Sequence, residues 1–479
     1  MVVLACIAIG ARKGGIALGF WGGVGLVIIT MVFREPAATP PWDVMLIILS
    51  VICATAAMQA AGGIDLLVAI AARIIRRHPS RITFLGPLVA WIFTACAGTE
   101  HILYPLLPVI HDTAVRNGVR PERPMSVAVI GSLLGITASP VSAATAALIV
   151  VLEPRGVTMT QVLSISIPAT LVGLLCSSLV MLHWGTELED DPVYQKRLAA
   201  GEVQEISAYV RLSRRAKREG TTVQELARRE GITDLEVDDN AAIARAEREK
   251  DNERIAASER ENGARPGSGR LAALIFMATV IIVVVFGTFS AIRPSDADGK
   301  PMSMVILIQI LMMACAAVIT VVTQVNVSVI PGTSIAKTGL VAIVGIFGLA
   351  WLGSTVIEAH TKLIVPAMKG AVGVHPWLFT IMLFLGAILL FSQATTTRAL
   401  MPLGLSLGIA SPYLIAMWPA VNGAFFLPTY GTVVAALNFD RAGTSKIGRF
   451  VLNHSYMVPG LVGVAGSVLA GFGLAAVFH

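Results

Sequence analysis

Four short stretches place hydroxyls, amides and ionisable groups inside otherwise apolar sequence. "CAGTEHILYPLLPVI" carries Thr99, Glu100 and His101, and "FSQATTTRALMP" carries Ser392, Gln393, Thr395, Thr396 and Arg398. "GITASPVSAATAAL" adds Ser139 and Ser142, and "GAFFLPTYGTVVAAL" adds Thr429 and Tyr430. Hydroxyl donors beside interrupted helices suit anion binding, because a broken helix presents free N–H groups and the positive end of its dipole. These residues are the candidate ligand-binding set. Glu100 and His101 are also candidates for carrying a coupling proton, since burial raises a carboxyl pKa and His titrates near neutrality. Arg398 has two readings: a bidentate clamp on a ligand carboxylate, or a structural partner of Glu100. For any single Ser or Thr the plainer reading is a bond to its own preceding turn.

The same residues exclude other chemistry. No nucleophile with a base stands out, and no G-x-x-x-x-G-K phosphate loop is present. "HILYPLLPVIH" separates His101 and His111 too widely for a helical metal pair. Neither a catalytic set, a metal site nor a cofactor is expected. The five Cys sit in apolar runs without C-x-x-C spacing and read as small buried residues.

The elements that must position these groups follow from composition. The chain has 479 residues, 55% hydrophobic and only 14% charged, against about 25% charged in soluble domains. Apolar runs near 20 residues recur along it, which predicts an all-α polytopic membrane protein in a lipid bilayer. The first run, "MVVLACIAIG", reads as a shortened or truncated first helix. The net charge of +6 carries no nucleic-acid signal. One long polar segment, 185–270, separates a first membrane repeat (1–184) from a second (271–479). Its mixed charges predict solvated helices, or disorder near "RPGSG".

Loop charge sets the expected topology. Arg12, Lys13, Arg73, Arg76, Arg77, Arg81, Arg116, Arg120, Arg123, Lys337, Arg441, Lys446 and Arg449 fall on one side. Arg34, Arg155, Arg293, Lys300, Lys362 and Lys369 fall on the other. The richer set is cytoplasmic by the positive-inside rule. The polar segment is then inside and both termini outside. This holds only if Ile82–His111 and Trp377–Leu407 enter and leave on the same side, as re-entrant hairpins.

The two hairpins have similar texts. Thr99 to Pro108 is the same step as Gln393 to Pro402, and each hairpin is followed by a span broken around a proline. Hairpin then broken helix, twice, with opposite entry sides, is an inverted-topology repeat, a transporter architecture. Unpaired peptide groups cost several kcal/mol in lipid, so such breaks must be buried in protein or line a wet cavity. Other ionisable groups have local readings. Asp65 caps a short interfacial helix, Glu358 and His360 lie near the outer surface, and Asp112 pairs with Arg116 at helical spacing.

"ARKGGIALG" (Ala11–Gly19), "VRPERPM" (Val119–Met125), "ASPVS" (Ala138–Ser142), "PTY" (Pro428–Tyr430) and "FDRAGTSKIGRFVLNHS" (Phe439–Ser455) together resemble the Dcu family of anaerobic four-carbon dicarboxylate transporters. The likeness covers nearly the whole chain outside about 187–270. It implies exchange of fumarate, malate or aspartate for succinate, or uptake with H+, in a bacterial inner membrane. It also implies an elevator plan, a scaffold plus a transport domain, and a homodimer. Some members act beside a membrane sensor kinase, which makes the central loop a candidate contact. The chain departs from the family pattern at Glu100, commonly Gly there, and at "ATTTRAL", mostly Ala there. The runner-up expectations are a Na+-coupled carrier of another organic anion and a transporter doubling as co-regulator of that kinase.

Overall fold

The computed structural model describes residues 2–13, 16–230, 240–296, 299–356, 358–360 and 374–477. The described residues form helices without strands, apart from two isolated bridges, Ser295–Pro301 and Ile447–His454. Seven stretches are long and apolar enough to cross a membrane, and a bent pair makes an eighth. This is a multi-pass membrane protein. Lys362 and Lys369, placed outside by the charge argument, lie outside the described residues.

Nine helices, α1 to α9, build the first half of the described membrane core and its interruptions. α1 (Val2–Lys13) and α2 (Ala17–Val27) precede α3 (Trp42–Ala60) and α4 (Gly63–Arg77). α5 (Ile82–Ala97) ends at Gly98, and α6 (Leu106–Arg116) follows a short turn, Glu100–Leu103. α7 (Glu122–Thr137) and α8 (Ala143–Leu152) are the two parts of a broken helix, and α9 (Met159–Met181) closes this half. α4 begins at Gly62, whose φ of +83° favours glycine, and Asp65 makes no capping bond. The expected cap at Asp65 is therefore corrected: the turn is made by backbone, not by the carboxylate.

The polar segment holds α10 (Pro192–Ala199), α11 (Ala208–Glu219), α12 (Val223–Arg229) and α13 (Asn240–Glu261). It is less solvated than its composition predicts. Leu188, Tyr194 and Ile206 pack with Val115 and Ala442. Asp191 is buried, caps α10 and binds Arg120 at 2.5 Å. The "RPGSG" end is an ordered corner: the buried Glu259 carboxylate accepts from Gly267 and Gly269 N–H, each at 3.0 Å, and so caps the next helix.

That helix is α14 (Ser268–Thr288), followed by α15 (Met304–Thr323) and α16 (Ser334–Gly345), which continues through a π-helical turn at Ile346–Ala350. α17 (Leu378–Leu390) and α18 (Gln393–Ser406) flank a second break. α19 (Ser411–Met417) continues as a 3-10 helix to Phe426, and α20 (Gly431–Phe439) is bent from this stretch by 53°. α21 (Met457–Ala475) is last.

Packing falls into two groups. α5, α7, α9, α17, α19 and α21 pack mainly on one another, whereas α3, α4, α14, α15 and α16 form a second group. A close seam joins α9 to α21. Gly173 and Ser177 face Gly463 and Ser467, and the Ser177 hydroxyl donates to Pro459 O at 2.7 Å. Both helices carry G-x-x-x-S, the small-residue spacing that lets membrane helices approach closely.

Candidate functional site

Two helix breaks share one backbone recipe. Gly98 is left-handed (φ 71°, ψ 9°) and Thr99 extended (φ −145°, ψ 136°). Phe391 (φ 54°, ψ 22°) and Ser392 (φ −154°, ψ 124°) repeat the pair. In each case the second residue caps the next turn: Thr99 accepts from His101 N–H and Ser392 from Thr395 N–H. Proline spacing aligns Thr99 with Gln393, but backbone geometry aligns it with Ser392. The offset is corrected because Glu100–Leu103 forms a tighter turn, with α6 starting only at Leu106, while α18 runs directly from Gln393.

The two broken helices close differently. Pro140 and its neighbours interrupt α7 from α8, and Ser142 caps α8 by accepting from Thr145 N–H at 3.1 Å. The Ser142 hydroxyl donates to Ile136 O at 2.8 Å, and Thr145 Oγ1 donates to Ser139 O at 2.5 Å. This break is satisfied by its own hydroxyls. At the other, Tyr430 is the N-cap of α20 and supplies no capping bond. Asn422 ties the two broken helices together, donating to Thr137 Oγ1 at 3.1 Å.

All four interruptions border one cavity of about 430 Å³. Its polar wall contains Thr99, Glu100 and His101, the α8 start at Ala143, Ser392 and Gln393, and Thr429 through Thr432. The opposite wall is largely apolar, with Ile48, Val51 and Ile52 of α3 and Val341, Ile346 and Leu349 of α16 and its continuation. The cavity thus lies between the two packing groups. The Tyr430 hydroxyl donates to Glu100 Oε1 at 2.8 Å, and the His101 and Tyr104 rings stack 5.6 Å apart. Two buried polar nitrogens there lack a partner among the described residues. His101 Nδ1 has no partner, and Gln393, although it lies against Tyr430, makes no bond of normal geometry through its buried Nε2.

Seven of the sequence-selected residues meet here: Thr99, Glu100, His101, Ser392, Gln393, Thr429 and Tyr430. Four hydroxyls do not. Ser139 and Ser142 are fully buried inside their break and brace it. Thr396 bonds back to Ser392 O at 2.7 Å, and Thr395 is buried behind the wall. Arg398 is corrected more strongly. It leaves the cavity and pairs with Asp43 at 2.9 Å, so its expected partnership with Glu100 does not form. One turn beyond the break, the helix rotation carries residue 398 away from residue 393. Tyr104 and Thr338 also line the cavity; the signal that could have found them is a hydroxyl directly before a breaker, Pro105 and Gly339.

The family described as anaerobic C4-dicarboxylate membrane transporter matches residues 1–479. The chain belongs to the anaerobic C4-dicarboxylate transporter family. It is 36% identical to the anaerobic C4-dicarboxylate transporter DcuB of Escherichia coli O6:H1, over 100% of this chain and 98% of that protein. It is 36% identical to the C4-dicarboxylate transporter DcuA of Wolinella succinogenes, covering 98% and 97% of the two chains. To DcuA of Escherichia coli K12 it is 35% identical, covering 98% and 97%. These are transporters, not enzymes, and the resemblance read from the motifs stands.

Within this family member, the quoted stretches "VRPERPM" and "FDRAGTSKIGRFVLNHS" meet in a buried polar network away from the cavity. Arg120 binds Glu122 at 2.7 Å as well as Asp191, and Ser455 donates to Glu122 Oε1 at 2.6 Å. Asp440 accepts from Thr444 Oγ1 at 2.8 Å and from Ser445 N–H at 2.5 Å. His111 Nδ1 lies 2.9 Å from Asp112 Oδ1, and Arg116 adds a weaker charge to that carboxylate. Glu358 and His360 are exposed.

Proposed function

We propose that the chain is a secondary carrier that moves four-carbon dicarboxylates such as fumarate, malate, aspartate and succinate by alternating access, in exchange or with H+. One observation carries the reading: the starts of α8, α18 and α20 and the turn begun by Thr99 border a single cavity with no Lys or Arg among the described residues that line it. Partial positive charge from helix ends holds an anion without a fixed cation that would be costly to leave behind on the empty return step. The matched pair at Gly98–Thr99 and Phe391–Ser392 supports an inverted repeat with two re-entrant hairpins. A polar wall on one packing group against an apolar wall on the other supports an elevator-like slide. Glu100 and His101 are the groups placed to carry a coupling proton. The site belongs in a bacterial inner membrane, with the central segment cytoplasmic by the loop-charge argument.

The test is counterflow in proteoliposomes loaded with succinate and offered labelled fumarate, aspartate or citrate, with and without pH and Na+ gradients. Fumarate and aspartate are expected to accumulate and citrate to stay out. Failure of both dicarboxylates rejects the substrate class, and accumulation that demands Na+ moves the reading to a Na+-coupled carrier.

A further inference from the structure

Glu100 is the only Asp, Glu, Lys or Arg among the described residues lining the cavity. Arg398 is held outside by Asp43. Lys337 neighbours the lining residue Thr338, but it is exposed and not part of the wall. The titratable groups around Glu100 are Tyr430, Tyr104 and His101; α3, α8, α16 and α18 bring only uncharged side chains to the cavity. The Tyr430 hydroxyl donates to Oε1 of Glu100, and Glu100 itself lines the cavity.

A bare dianion entering beside an ionised Glu100 assembles three negative charges in a site of low polarity. Two changes relieve this equally. A proton on Glu100 with a dianion gives a total of minus two. An ionised Glu100 with a dicarboxylate that bears an α-ammonium also gives minus two. The hydroxyl and amide donors of the wall serve the carboxylates in both cases, and the Glu100 carboxylate meets either its own proton or the ammonium.

We infer that Glu100 makes the proton requirement depend on the ligand: a dicarboxylate without an amino group binds together with one proton on Glu100, and an amino dicarboxylate binds to ionised Glu100 with none. This rests on the carrier reading above. It makes Glu100 a specificity-determining residue, and it makes exchange between the two ligand types a proton-moving event while exchange within a type is not.

The experiment uses the full chain in proteoliposomes with a trapped pH indicator and two probes, fumarate and aspartate. Fumarate entering against aspartate should acidify the lumen by about one proton per exchange, while fumarate against fumarate should not. Between about pH 6.5 and 8, half-saturation for fumarate should rise up to about tenfold per pH unit, and that for aspartate should stay flat. Glu100→Gln should abolish the acidification, flatten the fumarate profile and weaken aspartate at least about tenfold relative to fumarate. Glu100→Asp, which keeps the charge, should retain the split. Equal pH profiles for both probes in the unaltered protein, or heteroexchange without proton movement, overturn the inference with no variant needed and leave the carrier reading intact. A protein that exchanges neither probe overturns both.

Discussion

Phe391 holds a left-handed backbone conformation that costs an L-residue roughly 1–2 kcal/mol, where the first break uses Gly98. Its ring lies 5.6 Å from that of Tyr430, which itself holds Glu100. The aromatic contact offsets the backbone cost and fixes the second break against the start of α20. Arg398 presents the opposite case. Its pair with Asp43 joins exposed side chains, and such pairs contribute about 0–1 kcal/mol. Arg398→Ala and Asp43→Ala should therefore each change half-saturation for dicarboxylates less than about twofold, with the double variant no worse than either. Loss of binding in Arg398→Ala alone would restore it as a ligand clamp.

At the scale of elements, α9 and α21 meet through Gly173 and Gly463 without space for a larger residue. A Cβ on Gly173 would run into Ser467 Oγ and Gly463 O. Overpacking a filled interior costs about 1–3 kcal/mol, and here the obstacle includes backbone. Gly173→Leu should lower the melting temperature in detergent and reduce transport, whereas Gly23→Leu, at a site with nothing within 4 Å, should do neither. A transport-competent Gly173→Leu protein of normal stability would show that the seam opens freely.

For the molecule as a whole, the central segment joins the two packing groups. Its start is fixed to the ends of α6 and α7: Asp191 binds Arg120, and Ser207 N–H donates to Arg116 O at 3.1 Å. Its end is fixed to both ends of α4: Asn262 donates to Ala60 O at 3.0 Å at the α3–α4 corner, and Arg76, in the last turn of α4, meets Asp251 at 3.4 Å. Burial works against the charge of Asp191, but hydrogen bonds from the Tyr194 N–H, from Arg120 and from the Val193 N–H outweigh it and hold its carboxyl below the usual range. A depressed folded pKa means that this contribution to stability is present above the ordinary carboxylate pKa and is lost as pH falls through the folded value. Unfolding should therefore ease in acid below about pH 4. Removing one partner of a buried pair costs about 3–5 kcal/mol. Asp191→Ala should be destabilised by about that amount at neutral pH and less so in acid, followed by thermal unfolding across pH.

Local signals carried the reading of the elements. Hydropathy and breakers marked the membrane helices, the α5 and α17 ends, and the interruptions near Pro140 and Pro428, because chain length in lipid and the loss of a proline N–H act on a few neighbouring residues. The polar segment shows the limit: its composition predicted solvation, yet Tyr194 and Asp191 are buried by partners that are distant in sequence. The choice among hydroxyls was also tertiary. Ser142 and Ser392 look alike as hydroxyls that cap a helix start, but one is fully buried and closes its own break while the other lines the cavity. Which way each turns depends on how two helices rotate about an interruption and what packs behind them, and no spacing along a single chain encodes that.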